Sequence, residues 1–376
     1  MFQKLDQQSV QIECIGLPPL EDKKMALLIP QYNESANFDF EERLEYFKDV
    51  AQKYGHLMDV ILIDDGSTND SLSRIREYKI LNPGAFHVAA VSPNANKVGA
   101  LYLTTLSINH ELIIISDFDT DLVGFELVGE QFDELMSDSK LMGYYFRMLP
   151  FEGHGKVFVF QQLEYSLART LYEFHKKEKS VPVMPGAGSC YKREVLASIY
   201  NEHSGLRNGE DREATLLGLK QGYQASYLDT VTSLTRPPLS FAALVKQRVR
   251  WNLGYVETVY KERKHYATEI IKLSRIGVRT ATDALIVAFT ILIPIILIVA
   301  LMLDFKIAIS IFLLIYVGYF AWCGLVLFLL PKESVELKRE KLYTMLYYPL
   351  LKIPLDWFAW VMALVSFGKK LISHKY

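Results

Sequence analysis

The chain has 376 residues, half of them hydrophobic, with 41 lysines and arginines against 43 aspartates and glutamates for a net charge of -2. That length allows two or three domains, and a near-neutral balance argues against a nucleic-acid binder, which carries a basic excess. Three cysteines, Cys14, Cys190 and Cys323, are an odd number without metal-ligand spacing and fit a reducing compartment.

Residues 1–24 are mixed polar without a hydrophobic signal region, so they read as a leader and the soluble part is expected in the cytosol. Residues 25–238 then alternate two patterns. Apolar runs at Met25–Pro30, Val60–Ile63, Phe86–Val91 and Glu111–Ser116 predict strands. Helices are predicted near Phe40–Lys53, Ser71–Lys79, Val98–Ile108, Lys156–Lys177 and Arg212–Lys220. Strands alternating with helices imply a mostly parallel α/β sheet, whose ligands bind beyond the carboxyl ends of the strands.

The residues just after those strands are polar and acidic: Gln31-Tyr32-Asn33-Glu34, Asp64-Asp65-Gly66-Ser67, Asn94-Ala95-Asn96-Lys97 and Asp117-Phe118-Asp119. A bound nucleotide would meet all four loops. Taken singly, Asp65-Gly66-Ser67 is a turn with a helix cap, Asn33 a turn residue and Lys97 a solvated charge; four such loops at one edge make a site. Asp117 and Asp119 suit Mg²⁺ or Mn²⁺, which prefers a few oxygen ligands plus phosphate oxygens. Asp119-Thr120-Asp121 is an overlapping second pair, in which Asp121 is alternatively a cap of the following turn.

Residues 239–280 combine Phe241, Leu244, Val245, Tyr255 and Tyr260 with many basic residues and read as amphipathic helices at a membrane surface, or as ordinary packing helices. Within them, helical spacing puts Gln247, Arg250 and Trp251 on one face. Residues 281–376 read as a membrane domain. Uncharged runs at 284–303 and 307–330 predict spans joined by a tight hairpin. A third stretch, 342–367, is broken by Pro349, Lys352, Pro354 and Asp356, and is expected to be a re-entrant hairpin or interfacial segment rather than a kinked span. Basic residues before the first span and between Lys332 and Lys341 put both flanks in the cytoplasm.

With Pro30-Gln31-Tyr32-Asn33-Glu34, Asp64-Asp65-Gly66-Ser67, Asp117-Phe118-Asp119, Gly209-Glu210-Asp211-Arg212 and Gln247–Trp251 in that order, the chain resembles the membrane-bound family 2 glycosyltransferases. These include synthases of hyaluronan, chitin, cellulose and poly-N-acetylglucosamine, and ceramide glucosyltransferase. The resemblance implies a GT-A (Rossmann-like) fold and inverting transfer from a nucleotide sugar, most often a UDP-sugar, to a growing β-linked glycan. It implies that Tyr32, Glu34, Asp65, Lys97 and Asp117 bind the donor, that Asp119 and Asp117 hold the metal, and that Asp211 is the general base. Arg250 and Gln247 would grip the diphosphate, and Trp251, Gly188 and Ser189 would meet the acceptor. The structural alternatives are a helix N-cap for Asp211, an interfacial anchor for Trp251 and a plain turn for Gly186-Ala187-Gly188.

The large synthases also carry transmembrane helices before the catalytic part, and this chain starts almost directly with its first strand. A homo-oligomer, a membrane partner or transfer of one sugar to a lipid would each account for this. A silent scaffold or transporter subunit is the third reading. The expected location is the plasma membrane, multi-pass, with the catalytic part cytoplasmic.

Overall fold

A computed structural model of the chain describes residues 10–15, 24–127, 129–168, 179, 181–329 and 339–373. It divides into two compact units, one formed by residues 1–148 and 175–235 and the other by 149–174 and 236–376.

The described residues of the first unit build nine strands, β1 (Gln11–Ile15), β2 (Met25–Gln31), β3 (Met58–Asp65), β4 (His87–Ser92), β5 (Leu112–Ile115), β6 (Thr120–Val123), β7 (Leu141–Pro150), β8 (Ser189–Lys192) and β9 (Gln224–Thr235). Their order in one sheet is β1-β4-β3-β2-β5-β8-β7-β9-β6. Strands β4, β3, β2 and β5 run parallel, and β8 joins β5 antiparallel. All eight residues of β3 are buried, as expected of a parallel strand covered on both faces. Strand β1 lies in the stretch read as leader; its Gln11 to Ile15 pair antiparallel with Ser92 to Val88 at the sheet edge.

Helices α1 (Phe40–Tyr54), α2 (Ser71–Leu81), α3 (Asn96–Ser107), α4 (Gly129–Ser137), α5 (Gly155–Leu167), α6 (Arg193–Glu202) and α7 (Glu210–Lys220) occupy the connections. Leu44, Phe47 and Val50 of α1 pack on Ile29, Val60 and Leu62 in a shared apolar core. This fixes where the β-strand ends, and so the loops after them, stand. Residues 169–177 of the helix expected over Lys156–Lys177 lie outside the described residues.

The second unit contains α5 and α8 (Phe241–Lys261), α9 (Arg263–Ile271), α10 (Arg275–Leu303), α11 (Phe305–Leu329) and α12 (Arg339–Ile372). Helices α10, α11 and α12 are each long and apolar enough to cross a membrane. Asp304 alone separates α10 from α11, which is the tight hairpin expected from the sequence. The third stretch is a single helix with Pro349 and Pro354 inside it, so the hairpin reading is corrected. Helix α8 packs along α12 through Leu253, Ala363 and Phe367, with Tyr255 edge-on to Trp360 at 5.6 Å. The linker after α11, 330–338, lies outside the described residues.

Candidate active site

Register brings the first two loops together. Gln31 pairs with Asp64 at the carboxyl ends of β2 and β3, and the Gln31 amide donates to the Asp64 carboxylate. The Ser67 N–H donates to the other Asp64 oxygen at 3.1 Å. Asn33, in the left-handed region at φ 62°, accepts from the Thr68 and Asn69 N–H groups at 2.8 and 3.2 Å. Asn33 and Asp64 therefore brace the loops, and Tyr32 stands exposed beside them.

Asp65 is buried and accepts from the Ala95 N–H at 2.7 Å and the Asn94 amide at 3.0 Å. Burial, with the Asp64 charge adding to it, pushes its carboxyl up to about 6. Gly66 turns at φ 66°, where a Cβ would sit 2.6 Å from the Asn94 nitrogen, so this close approach of the two loops requires glycine.

The loop after β5 is set by its central residue. Phe118 is buried between Phe40 and Phe47, with ring centroids 5.6 and 5.4 Å away. Buried Arg43 of α1 donates to the carbonyls of Phe118 at 2.7 Å and Thr120 at 3.0 Å, and forms an ion pair with Asp121. Asp121 is thus part of this clamp, in β6. With Phe118 pinned inward, Asp117 and Asp119 are presented on the other side of the loop. Asp119, exposed on the loop, titrates above the ordinary carboxylate range through partial desolvation and then the Asp117 charge. Glu34 is pushed up to about 6 by burial, with Asp119 the next cause.

Lys97, in the first turn of α3, joins this loop to α7. Its ammonium lies 2.5 Å from Asp117 and 3.9 Å from Glu210. Burial pulls Lys97 down, but Asp117, Glu210 and Asp211 outweigh it and hold the group above its ordinary value. Helix α7 starts after Gly209, at φ 80°, so Asp211 is the second helical residue and not the N-cap. The Arg212 N–H donates to its carboxylate at 2.7 Å. Lys97, Met184, Gly186, Tyr191, Glu210 and Asp211 line a narrow cleft. A Cβ on Gly186 would sit 2.7 Å from the Lys97 nitrogen, so glycine here makes room for the ammonium.

Gly188 and Ser189, the residues expected to meet the acceptor, stand at the start of β8. A Cβ on Gly188 would stand 1.9 Å from Ser233 Oγ, and Ser189 is buried in β8 with its hydroxyl donating to the Pro185 carbonyl at 2.7 Å. Both positions are thus tightly packed within the sheet.

Gln247, Arg250 and Trp251 lie on α8 of the second unit. The helix confirms their common face; Arg250 is exposed and Trp251 is 42% exposed. A cluster that sequence reading missed stands beside them. Glu164 of α5 accepts from Arg248 and, at 2.7 Å, from Lys352, which is 3.0 Å from Asp356. Burial would raise Glu164, but Lys352 and Arg248 lower it to about 2. The available signal was the pair Lys352 and Asp356 within an apolar stretch, which calls for counter-charges.

Residues 26–254 match the family described as "Glycosyltransferase like family 2". The chain is 25% identical over 246 residues to an N-acetylglucosaminyltransferase of Bradyrhizobium diazoefficiens, covering 60% of this chain and 47% of that one. It is 24% identical over 253 residues to an N-acetylglucosaminyltransferase of Rhizobium meliloti, covering 63% and 58%. The chain thus spans about half the length of the curated relatives it matches. Among solved structures it is similar to the mannosyltransferase PcManGT from Pyrobaculum calidifontis in complex with GDP-Man and Mn²⁺, at 18% identity and TM-score 0.46 over 64% of each chain. With a family match over more than half its length, the chain belongs to glycosyltransferase-like family 2, with a GT-A-like α/β sheet followed by helices of which three are apolar enough to span a membrane.

Proposed function

We propose that the protein is a membrane-bound inverting glycosyltransferase that moves a sugar from a UDP-sugar to a growing β-linked glycan on the cytoplasmic side. The observation that carries this reading is the junction at Lys97, where Asp117 of the strand-end loop and Glu210-Asp211 of the α7 start meet one ammonium beside a cleft. The relatives' names support N-acetylglucosamine as the first donor sugar to try.

Asp117 and Asp119 fit Mg²⁺ or Mn²⁺, because they are two carboxylate oxygen donors two residues apart at one strand end. Among the described residues no group of three or more histidines, cysteines or carboxylates is placed to hold a metal, so the remaining ligands would come from phosphate and water. When bound, the cation would offset charge on the departing diphosphate. Tyr32, Glu34, Asp65 and Lys97 hold the nucleoside and diphosphate. Gln247 and Arg250 add an amide and a guanidinium to the diphosphate, and Trp251 offers its exposed face to the acceptor sugar. Asp211 takes the proton from the acceptor hydroxyl as that oxygen bonds to the anomeric carbon and the carbon–diphosphate bond breaks on the opposite face. Helices α10 to α12 keep the reaction at the bilayer, with partner subunits completing any path for a long product.

The test is incubation of the purified protein in nanodiscs with Mn²⁺ or Mg²⁺ and a panel of radiolabelled nucleotide sugars, followed by sizing of the product. A high-molecular-weight product establishes the polymer reading. A short lipid-extractable product replaces it with glycolipid synthesis, and failure to consume any donor favours the silent scaffold.

A further inference from the structure

The second unit holds a charge cluster that the proposed reaction does not use. Glu164, Arg248, Lys352 and Asp356 are two carboxylates and two cations from α5, α8 and α12, each no more than 22% exposed at the side chain. The three helices already share an apolar contact through Phe160, Leu163, Leu244, Tyr348 and Leu355. A buried charge group is weak evidence for stability, since apolar replacements of similar volume commonly do as well. Its presence within an otherwise apolar helix points to function.

Arg248 supplies the connection. Its guanidinium carbon lies 4.2 Å from the centre of the Trp251 ring, and one nitrogen is tied to Glu164. The same guanidinium's Nε has no hydrogen-bond partner. The group is therefore held by the carboxylate and rests on the indole. The indole is 42% exposed, and a cation against its face favours one rotamer.

We propose that Glu164, Arg248, Lys352 and Asp356 form a positioning device that fixes the Trp251 indole and ties its setting to α12. This rests on the reading of Trp251 as the acceptor contact. Lys352 keeps Glu164 and Asp356 neutralised, Glu164 orients Arg248, and Arg248 seats the indole. Loss of Lys352 leaves Glu164 and Asp356 sharing one cation, and the guanidinium is drawn from the ring.

The experiment uses the full chain in nanodiscs with UDP-N-acetylglucosamine and Mn²⁺, and measures sugar incorporated into product against UDP released. Lys352→Met, and Arg248→Met combined with Glu164→Leu, are expected to lower the incorporated-to-released ratio about tenfold with the donor KM unchanged. Lys352→Arg is expected to restore the ratio. The double variant removes one cation and one carboxylate and leaves the Lys352–Asp356 pair, so a charge-balanced protein is tested as well. Variants that keep the wild-type melting transition but lose incorporation and UDP release in parallel, or lose neither, overturn the proposal. Trp251→Ala separates the two levels. If it leaves the ratio unchanged, the acceptor reading of Trp251 falls and the device with it; if it lowers the ratio and the cluster variants do not, the device alone is overturned.

Discussion

Replacing Arg43 by methionine removes the cation that holds the Asp117–Asp121 loop. Arg43 is 2% exposed at its side chain and Asp121 13%, so methionine leaves an aspartate largely buried without its partner and two carbonyls without their donors. Breaking one side of a buried pair costs about 3–5 kcal/mol. For a unit of about 200 residues that corresponds to a fall in melting temperature of roughly 6–20 °C. Thermal unfolding of the detergent-solubilised protein measures it. Adding Asp121→Leu removes the stranded carboxylate and should return at least about 2 kcal/mol, a coupling that a double-mutant cycle reads directly. Because the same clamp presents Asp119, the single variant should also need several-fold more Mn²⁺ for half-maximal donor binding. A loss below about 1 kcal/mol, or losses that simply add in the double variant, would refute the clamp.

Gly186→Ala should displace the Lys97 ammonium, a movable side-chain end, from Asp117 at little cost in stability. A fall of roughly tenfold in kcat/KM with an unchanged melting temperature is the expected result, since a charge-assisted pair contributes about 1.5–3 kcal/mol. Asp65 has a folded-state value of about 6, above its unfolded value, so the folded state binds the extra proton between about 4 and 6. Its stabilising contribution is present below that window and is lost as pH rises through about 6, by up to about 3 kcal/mol. Asp65→Asn should therefore raise the melting temperature at pH 7.5, flatten its pH dependence across that window, and weaken UDP binding by calorimetry.

Much of the sheet was legible because β2 to β5 are apolar β-branched runs and the polar chemistry falls directly after them. Strand β1 was not, because Gln11, Glu13 and Cys14 alternate with only two isoleucines and the pairing with β4 alone makes a strand of them. The role of Asp121 was hidden for a similar reason: its partner Arg43 is 78 residues away. Charges at Lys352 and Asp356 made the third apolar stretch look discontinuous. Glu164 and Arg248, distant in sequence, provide the counter-charges that let it run as one helix. The tight approach of Gly188 to Ser233 was not legible either, because a small-residue run does not say which neighbour the backbone meets.

The central claim is that Asp211 takes the acceptor proton while Asp117 and Asp119 serve the donor through a cation. The most direct measurement pairs calorimetric binding of UDP with single-turnover sugar transfer for Asp211→Asn and Asp119→Asn in Mn²⁺. The account predicts that Asp211→Asn binds UDP as the wild type does and loses transfer by about 10²–10⁴-fold, while Asp119→Asn loses the Mn²⁺-dependent part of UDP binding. Wild-type transfer by Asp211→Asn, or metal-dependent UDP binding unchanged in Asp119→Asn, would contradict it.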